Sequence, residues 1–302
     1  MRDKRSAQYY HWTRARLHYR CCRSEKVKTI AWNPRFAEYA EPFAPVRETA
    51  RQLGTPAWPD CADFNRLLAE RAVPVVNAAG RPLRFVAQAA RPAGFEDKYE
   101  PRVFERGEVQ FRAGEWHDVC NALAWLTFPL VKAALNERHY RALERQRASG
   151  AGNRAALQDA LTLFDESGVI VAVSNAELGE LLAAHAWKEL FWTRRAEVAR
   201  DMRFYLFGHG LAEKMLAPFV GATGRGLLCG VPRDFLALPL ERQLAALDRQ
   251  VAARIGNAQS PLATRDLGAV PLLGIPGWCA DNEDERYYDN TQYFRPPKTK
   301  SP

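Results

Sequence analysis

The chain has few of the residues that mark familiar active sites. Its six cysteines (Cys21, Cys22, Cys61, Cys120, Cys229, Cys279) form no C-x-x-C pair, which excludes a zinc ribbon or an evident disulfide framework. No apolar run reaches the 18 residues of a membrane span; the best, Ala122 to Ala134, is interrupted by Pro129 and Lys132. There is no G-x-S-x-G elbow. GATGRG at 221–226 lacks the Lys-Ser/Thr of a phosphate loop, and no G-x-G-x-x-G follows a strand. Serine-hydrolase, P-loop and dinucleotide readings therefore have no sequence support. Unpaired cysteines and the lack of a secretory apolar core make a reducing cytoplasm the expected compartment, with no membrane partner.

What is present is enough to fold. Apolar residues make up 47% and aromatics 11% of 302 residues, well outside the disordered range. The net charge of +8 points to nucleic acid only until it is located. Residues 1–28 hold nine Lys or Arg against Asp3 and Glu25, and residues 295–302 hold three more, which leaves 29–294 slightly negative. In the basic extension Tyr9, Tyr10, Trp12 and Tyr19 interleave with Arg14, Arg16 and Arg20, a pattern suited to phosphate and base stacking. It reads either as such a nucleic-acid contact or as a disordered extension ahead of a later start near Val27. The expected organisation is this extension, a body over 29–297 with a flexible joint at ASGAGNRAA (148–156), and a tail at 298–302.

Within the body, residues 29–60 are punctuated by five prolines, and Asp60 caps a short helix carrying Phe64 and Leu67. VPVVN, AAGRP and LRFVAQ read as a hairpin turning on Gly80; ALTLF and GVIVAV read as a second, turning on DESG. Ser174 and Glu177 fit a capping box for a helix running to about Arg200. RFYLF and GRGLLCGV read as strands. LPLERQLAALDRQVAARIG reads as a helix with Leu240, Leu244, Leu247, Val251 and Ile255 on one stripe. Helices mixed with short antiparallel strands, in a single compact domain with irregular Pro-rich ends, argue for α+β.

The chemistry concentrates in GEWHDVCNALAWLTFPLVKAALNERH (114–139). At 100° per residue, His117, Asn121, Phe128, Lys132, Leu135 and His139 share one helical face. A straight helix would hold the two histidines ~33 Å apart, so Pro129 decides whether they meet, and two helices with Pro129 as first residue of the second is one solution. The His117-Asp118 doublet lacks the earlier histidine of metal-dependent phosphohydrolases, since residues 19–116 contain none. Asp118 either orients His117 or caps the helix. Asp165 and Glu166 sit at the tip of DESG. The glycines of FGHG allow close backbone approach around His209, where a helix start, reinforced by Lys214, offers an anion site. His185 reads as a hydrogen-bonded core histidine, and Cys120 as a buried structural thiol.

WHDVCNALAWLTFPLVKAALNERH, LTLFDESGV, FGHGLAEKMLAPF and the closing GIPGWCADNEDERYYDNTQYFRP together resemble a bacterial family known as domain of unknown function 3025. The likeness spans roughly 29–297 and leaves the basic extension outside. It implies no activity, but its blocks single out Trp116, His117, Asp118, Asn121, Lys132, Asn136, His139, Asp165, Glu166, His209 and Trp278. The resulting expectation is a polar cleft in which His117, Asp118, Asn121, Asp165 and Glu166 carry the chemistry. His209, Lys214, Lys132, His139 and Trp278 would bind a substrate or anion. A hydrolase- or transferase-like enzyme, compatible with a divalent metal, is one reading. The others are a non-catalytic binding or scaffold protein, and nucleic-acid association through residues 1–28.

Overall fold

A computed structural model describes residues 30–38, 40–88, 94–149 and 156–296. The basic extension 1–28, most of the expected joint at 148–156 and the tail 298–302 lie outside those residues. The protein is α+β. Its centre is a mixed four-stranded sheet in the order β4-β3-β5-β6, where β3 is Gly168–Val173, β4 Met202–Leu206, β5 Thr223–Gly230 and β6 Gly268–Pro271. A parallel pair, β1 (Arg84–Ala87) with β2 (Glu108–Phe111), stands apart from it.

β3 explains the layering. It runs antiparallel to β4 and parallel to β5, and GVIVAV is buried along nearly its whole length. Alternation sends Val169 and Val171 into one hydrophobic cluster, and Ile170 and Ala172 into another. A strand apolar on both faces must be covered twice. The first cluster takes in helices α1 (Arg47–Leu53) and α2 (Cys61–Ala69), and α3 (Tyr99–Arg106) contributes Val103 to it. Of the longer pair, α4 (Trp116–Thr127) contributes to the first and α5 (Pro129–Ser149) mainly to the second.

Of the two expected hairpins, the first forms as a short turn and the second does not form. Val76 and Pro82 make a single antiparallel bridge around Gly80, whose φ of +73° suits glycine. The chain then leaves to pair in parallel with β2. ALTLFDES is not a strand but the end of α6, Ala156–Ser167, because Gln158, Ala160, Leu161 and Phe164 fall on one helical face and are buried. Gly168 is needed where this helix becomes β3: a Cβ there would overlap the carbonyl oxygen of Phe164 and lie 2.8 Å from its ring.

The helix expected over 174–200 is broken into pieces. Asn175, not Ser174, caps α7 (Ala176–Ala183), accepting from Glu177 N. His185 follows in the left-handed region at φ 56°, stacked on Trp187 rather than on an apolar helix face, and its Nδ1 has no hydrogen-bond partner among the described residues. A π-helical turn, Glu189–Thr193, leads into α8 (Arg195–Asp201). Later come α9, His209–Lys214, and α10, Leu240–Gly256.

The α4–α5 pair bends by 110° at Phe128, and Pro129 is the first residue of α5. No single helix among the described residues is long and apolar enough to cross a membrane. Proline leaves the helix start without one N–H, and Asp248 of α10 accepts from the next two, Leu130 N at 3.1 Å and Val131 N at 2.9 Å. Burial pushes the Asp248 carboxyl up to about 6 in spite of those two bonds. A folded-state pKa above the unfolded value means its stabilising contribution is full below the unfolded value near 4 and is lost as pH rises through about 6. Asp248→Asn cannot ionise. Its stability relative to the native protein is therefore expected to increase between pH 4.5 and 7.5 in paired thermal melts, and a difference independent of pH would contradict this.

Candidate functional site

The candidate site lies where β3 begins and β4 ends, which are neighbours because the two strands are antiparallel. α6 finishes on Asp165, Glu166 and Ser167 just before β3. β4 is followed by Phe207 and Gly208, whose N–H groups both donate to Gly168 O, at 3.1 and 2.9 Å. That approach leaves no room for a side chain at 208: a Cβ would overlap Gly168 N and lie 2.5 Å from Ser167 N. At position 210 a Cβ would overlap the Glu166 carboxylate. The two glycines of FGHG therefore press His209 against Asp165 and Glu166.

His117 arrives from the first turn of α4, which packs on α9. Its Nδ1 is 3.2 Å from Glu213 Oε2, and its ring stands edge-on to that of His209 with centroids 4.5 Å apart. His209 Nε2 lies 3.5 Å from Glu166 Oε1, and its Nδ1 lies 3.8 Å from Asp165 Oδ2. On the far side of Asp165, Lys132 Nζ donates to Oδ1 at 2.6 Å; the lysine side chain is only 3% exposed. One ligand atom each from His117, Glu166 and His209 can be chosen so that all lie within 4.8 Å of one another.

The fields agree with the geometry. The hydrogen bond that His117 donates to Glu213 raises the His117 pKa, against a smaller burial effect, and Glu166 adds to it. The His209 contact holds Glu166 below the usual carboxylate range. Burial works to raise Asp165, but Lys132 and then His209 outweigh it and hold the carboxyl low. Three carboxylates thus stand around two imidazoles, with one buried ammonium behind them.

Residues 83–298 match a family described as a protein of unknown function, DUF3025. The chain belongs to this family. Every residue of the cluster lies inside the DUF3025 region, whereas the segment 29–82, included in the expected likeness, lies ahead of it. No curated protein and no solved structure matches the chain.

Within the DUF3025 region the expected site residues divide. His117, Asp165, Glu166 and His209 come together, and Lys132 joins them through Asp165. Asp118 turns away: its carboxylate accepts from Arg112 N, Nε and Nη2 at 2.6, 2.9 and 2.8 Å, bracing the start of α4 instead of orienting His117. Asn121 Nδ2 donates to Tyr99 OH at 3.1 Å, in a neighbouring polar group with Trp125 Nε1. His139 is buried on α5, close enough to help hold Asp165 low. Asn136 donates to Glu100, whose carboxyl burial pushes up to about 7. Lys214 is exposed at the end of α9, and Trp278 is packed in the main core. Cys120 is buried, and burial raises its thiol pKa, as suits a structural residue.

Sequence reasoning did not select Glu213. Its only signal is the spacing His209-x-x-x-Glu213, which places both on one face of α9 and means nothing until α4 is known to lie there. The surroundings of His209 are also opposite in sign to those expected. Asp165, Glu166 and Glu213 gather around the two imidazoles, which suits a cation and not an anion.

Proposed function

We propose that this DUF3025 protein is a cytoplasmic, divalent-metal-dependent enzyme of hydrolytic type, with His117, Glu166 and His209 as the metal ligands. The observation that carries the reading is the mutual approach of one donor atom from each of these residues within 4.8 Å. Bonds of ~2.0–2.1 Å at tetrahedral angles set ligand atoms roughly 3.3 Å apart, and the His209–Glu166 separation of 3.5 Å already fits. Two histidines and one carboxylate form a ligand set that leaves a fourth position for water, the arrangement used to generate a nucleophile at neutral pH. The remaining nitrogen of each ring faces a carboxylate, Glu213 for His117 and Asp165 for His209, as metal-bound imidazoles require to fix their orientation.

The test is direct. Protein freed of metal by chelation is dialysed against zinc, manganese, magnesium or calcium, and bound metal is measured by elemental analysis. One equivalent of a nitrogen-preferring ion such as zinc is expected. Failure to bind any of the four removes this reading. A second reading would then stand on the His117–Glu213 hydrogen bond: metal-free acid/base catalysis by His117, oriented by Glu213 in the place expected for Asp118.

Proton competition gives an independent check. A protonated imidazole cannot ligate, and Glu213 raises the His117 pKa above its ordinary 6.5. Zinc affinity is therefore expected to rise with pH through that raised value and then level off. Below it the affinity should fall by about tenfold per pH unit for one displaced proton. Competition with a chromophoric chelator between pH 6 and 8.5 measures this; a flat profile would mean that His117 is not a ligand.

A further inference from the structure

We infer that Lys132 is a positioning residue for the metal: by holding one oxygen of Asp165 it fixes the His209 proton on Nδ1 and leaves Nε2 free to ligate. This rests on the metal reading of the same site. A neutral imidazole has one N–H and one lone pair, and His209 stands between two carboxylates that compete for the N–H. Glu166 Oε1 is 3.5 Å from Nε2, and Asp165 Oδ2 is 3.8 Å from Nδ1. Ligation through Nε2 requires Asp165 to prevail. Nδ1 is buried and has no hydrogen-bond partner among the described residues. It stands roughly 0.8 Å beyond an ordinary N–H to oxygen bond, so a small closure satisfies it.

Lys132 decides how Asp165 is turned. Its buried Nζ donates to Oδ1 at 2.6 Å, which leaves Oδ2 for His209. A buried ammonium persists only with a partner of good geometry, so the bond holds and the carboxylate's rotation with it. The Trp125 ring, 5.6 Å from Nζ, covers the lysine, while Tyr99 and Glu100 act on it through their charge. His139 acts on Asp165 in the same way.

This arrangement has a direction that a purely structural ion pair lacks. An ammonium only donates. In Asp165→Asn it must therefore keep the amide oxygen, which turns the amide NH2 toward His209. Nδ1 then has to accept, the proton passes to Nε2, and the ligand is lost. Replacing the lysine by methionine in that background frees the amide to turn its oxygen to Nδ1. The second change is expected to restore part of what the first removed.

Zinc affinity is measured by chelator competition at a single pH for wild type, Lys132→Met, Asp165→Asn and the double variant. Asp165→Asn is expected to weaken binding about 100-fold and Lys132→Met about tenfold, within the range for groups that orient a ligand. The double variant is expected to bind roughly tenfold more tightly than Asp165→Asn. A double variant as weak as Asp165→Asn, or weaker, overturns the inference and leaves the metal site in place. Nitrogen-15 NMR of the zinc-loaded wild type is a second measurement that needs no variant to fold. It is expected to find zinc on His209 Nε2 and the proton on Nδ1; zinc on Nδ1 overturns the inference. A wild-type protein that binds no zinc overturns the metal reading together with it.

Discussion

His209→Ala is expected to abolish stoichiometric zinc binding, weakening it by well over 100-fold. The variant removes one of the three proposed ligands and also the imidazole that stands between Asp165 and the proposed ion position. Partners that only orient a ligand are worth about 10- to 100-fold in metal affinity, so loss of a ligand must exceed that range. His117 and Glu166 alone cannot complete a site, because two donors leave the ion mostly hydrated. Glu213→Gln, which keeps its shape but loses the charge facing His117, is expected to stay within the 10- to 100-fold range. Elemental analysis after equilibrium dialysis distinguishes the two. Full zinc occupancy in His209→Ala would place any metal elsewhere.

The second large effect separates two glycines that look equivalent in FGHG. Gly208→Ala drives a Cβ into the backbone of residues 166–168: overlapping Gly168 N, 2.5 Å from Ser167 N and 2.7 Å from Glu166 C. Backbone at the junction of α6, β3 and β4 cannot move aside without breaking the bonds from Phe207 N and Gly208 N to Gly168 O. Overpacking of this kind costs about 3 kcal/mol or more, and a melting point lower by roughly 6–12 °C is expected. Gly210→Ala meets something different. Its Cβ overlaps the Glu166 carboxylate, the movable end of a flexible side chain, with the nearest backbone oxygen at 3.3 Å. The fold is expected to survive with a change of about 1 kcal/mol or less, while Glu166 is pushed out of the ligand set. Metal-free melts measure the first effect and zinc titration the second. A Gly210→Ala protein with native zinc affinity would show that Glu166 is not a ligand.

Much of this was legible in the residues, and the failures have physical causes. The helix over 240–256 and the strands RFYLF and GRGLLCGV declare themselves because their burial pattern is local. α6 did not: ALTLF is equally apolar read at period 2 or 3.6, and only the cover of the sheet decides between them. The break at Pro129 was legible from its covalent geometry. Its direction was not, since the partner that receives Leu130 N and Val131 N is 118 residues away. The same holds for the site. His117, Asp165, Glu166 and His209 could be named as candidates from their types and neighbours. That Glu213 rather than Asp118 attends His117 follows from the packing of α4 on α9, and Asp118 is occupied by Arg112. The sign of the field at His209 depended on three carboxylates drawn from two different helices.

The corner between α4 and α5 turns what would be a rod of roughly 50 Å into an angle bracket. One arm carries His117 to the imidazole side of the cluster, and the other carries Lys132 to the back of Asp165. Opening or closing that angle would move the two residues relative to each other, so the geometry of the cluster is only as stiff as the joint. The joint is fastened by Asp248, on a helix with none of the cluster's chemistry. α10 therefore acts as an anchor for the site, and damage to it would be felt as slack between groups it never touches.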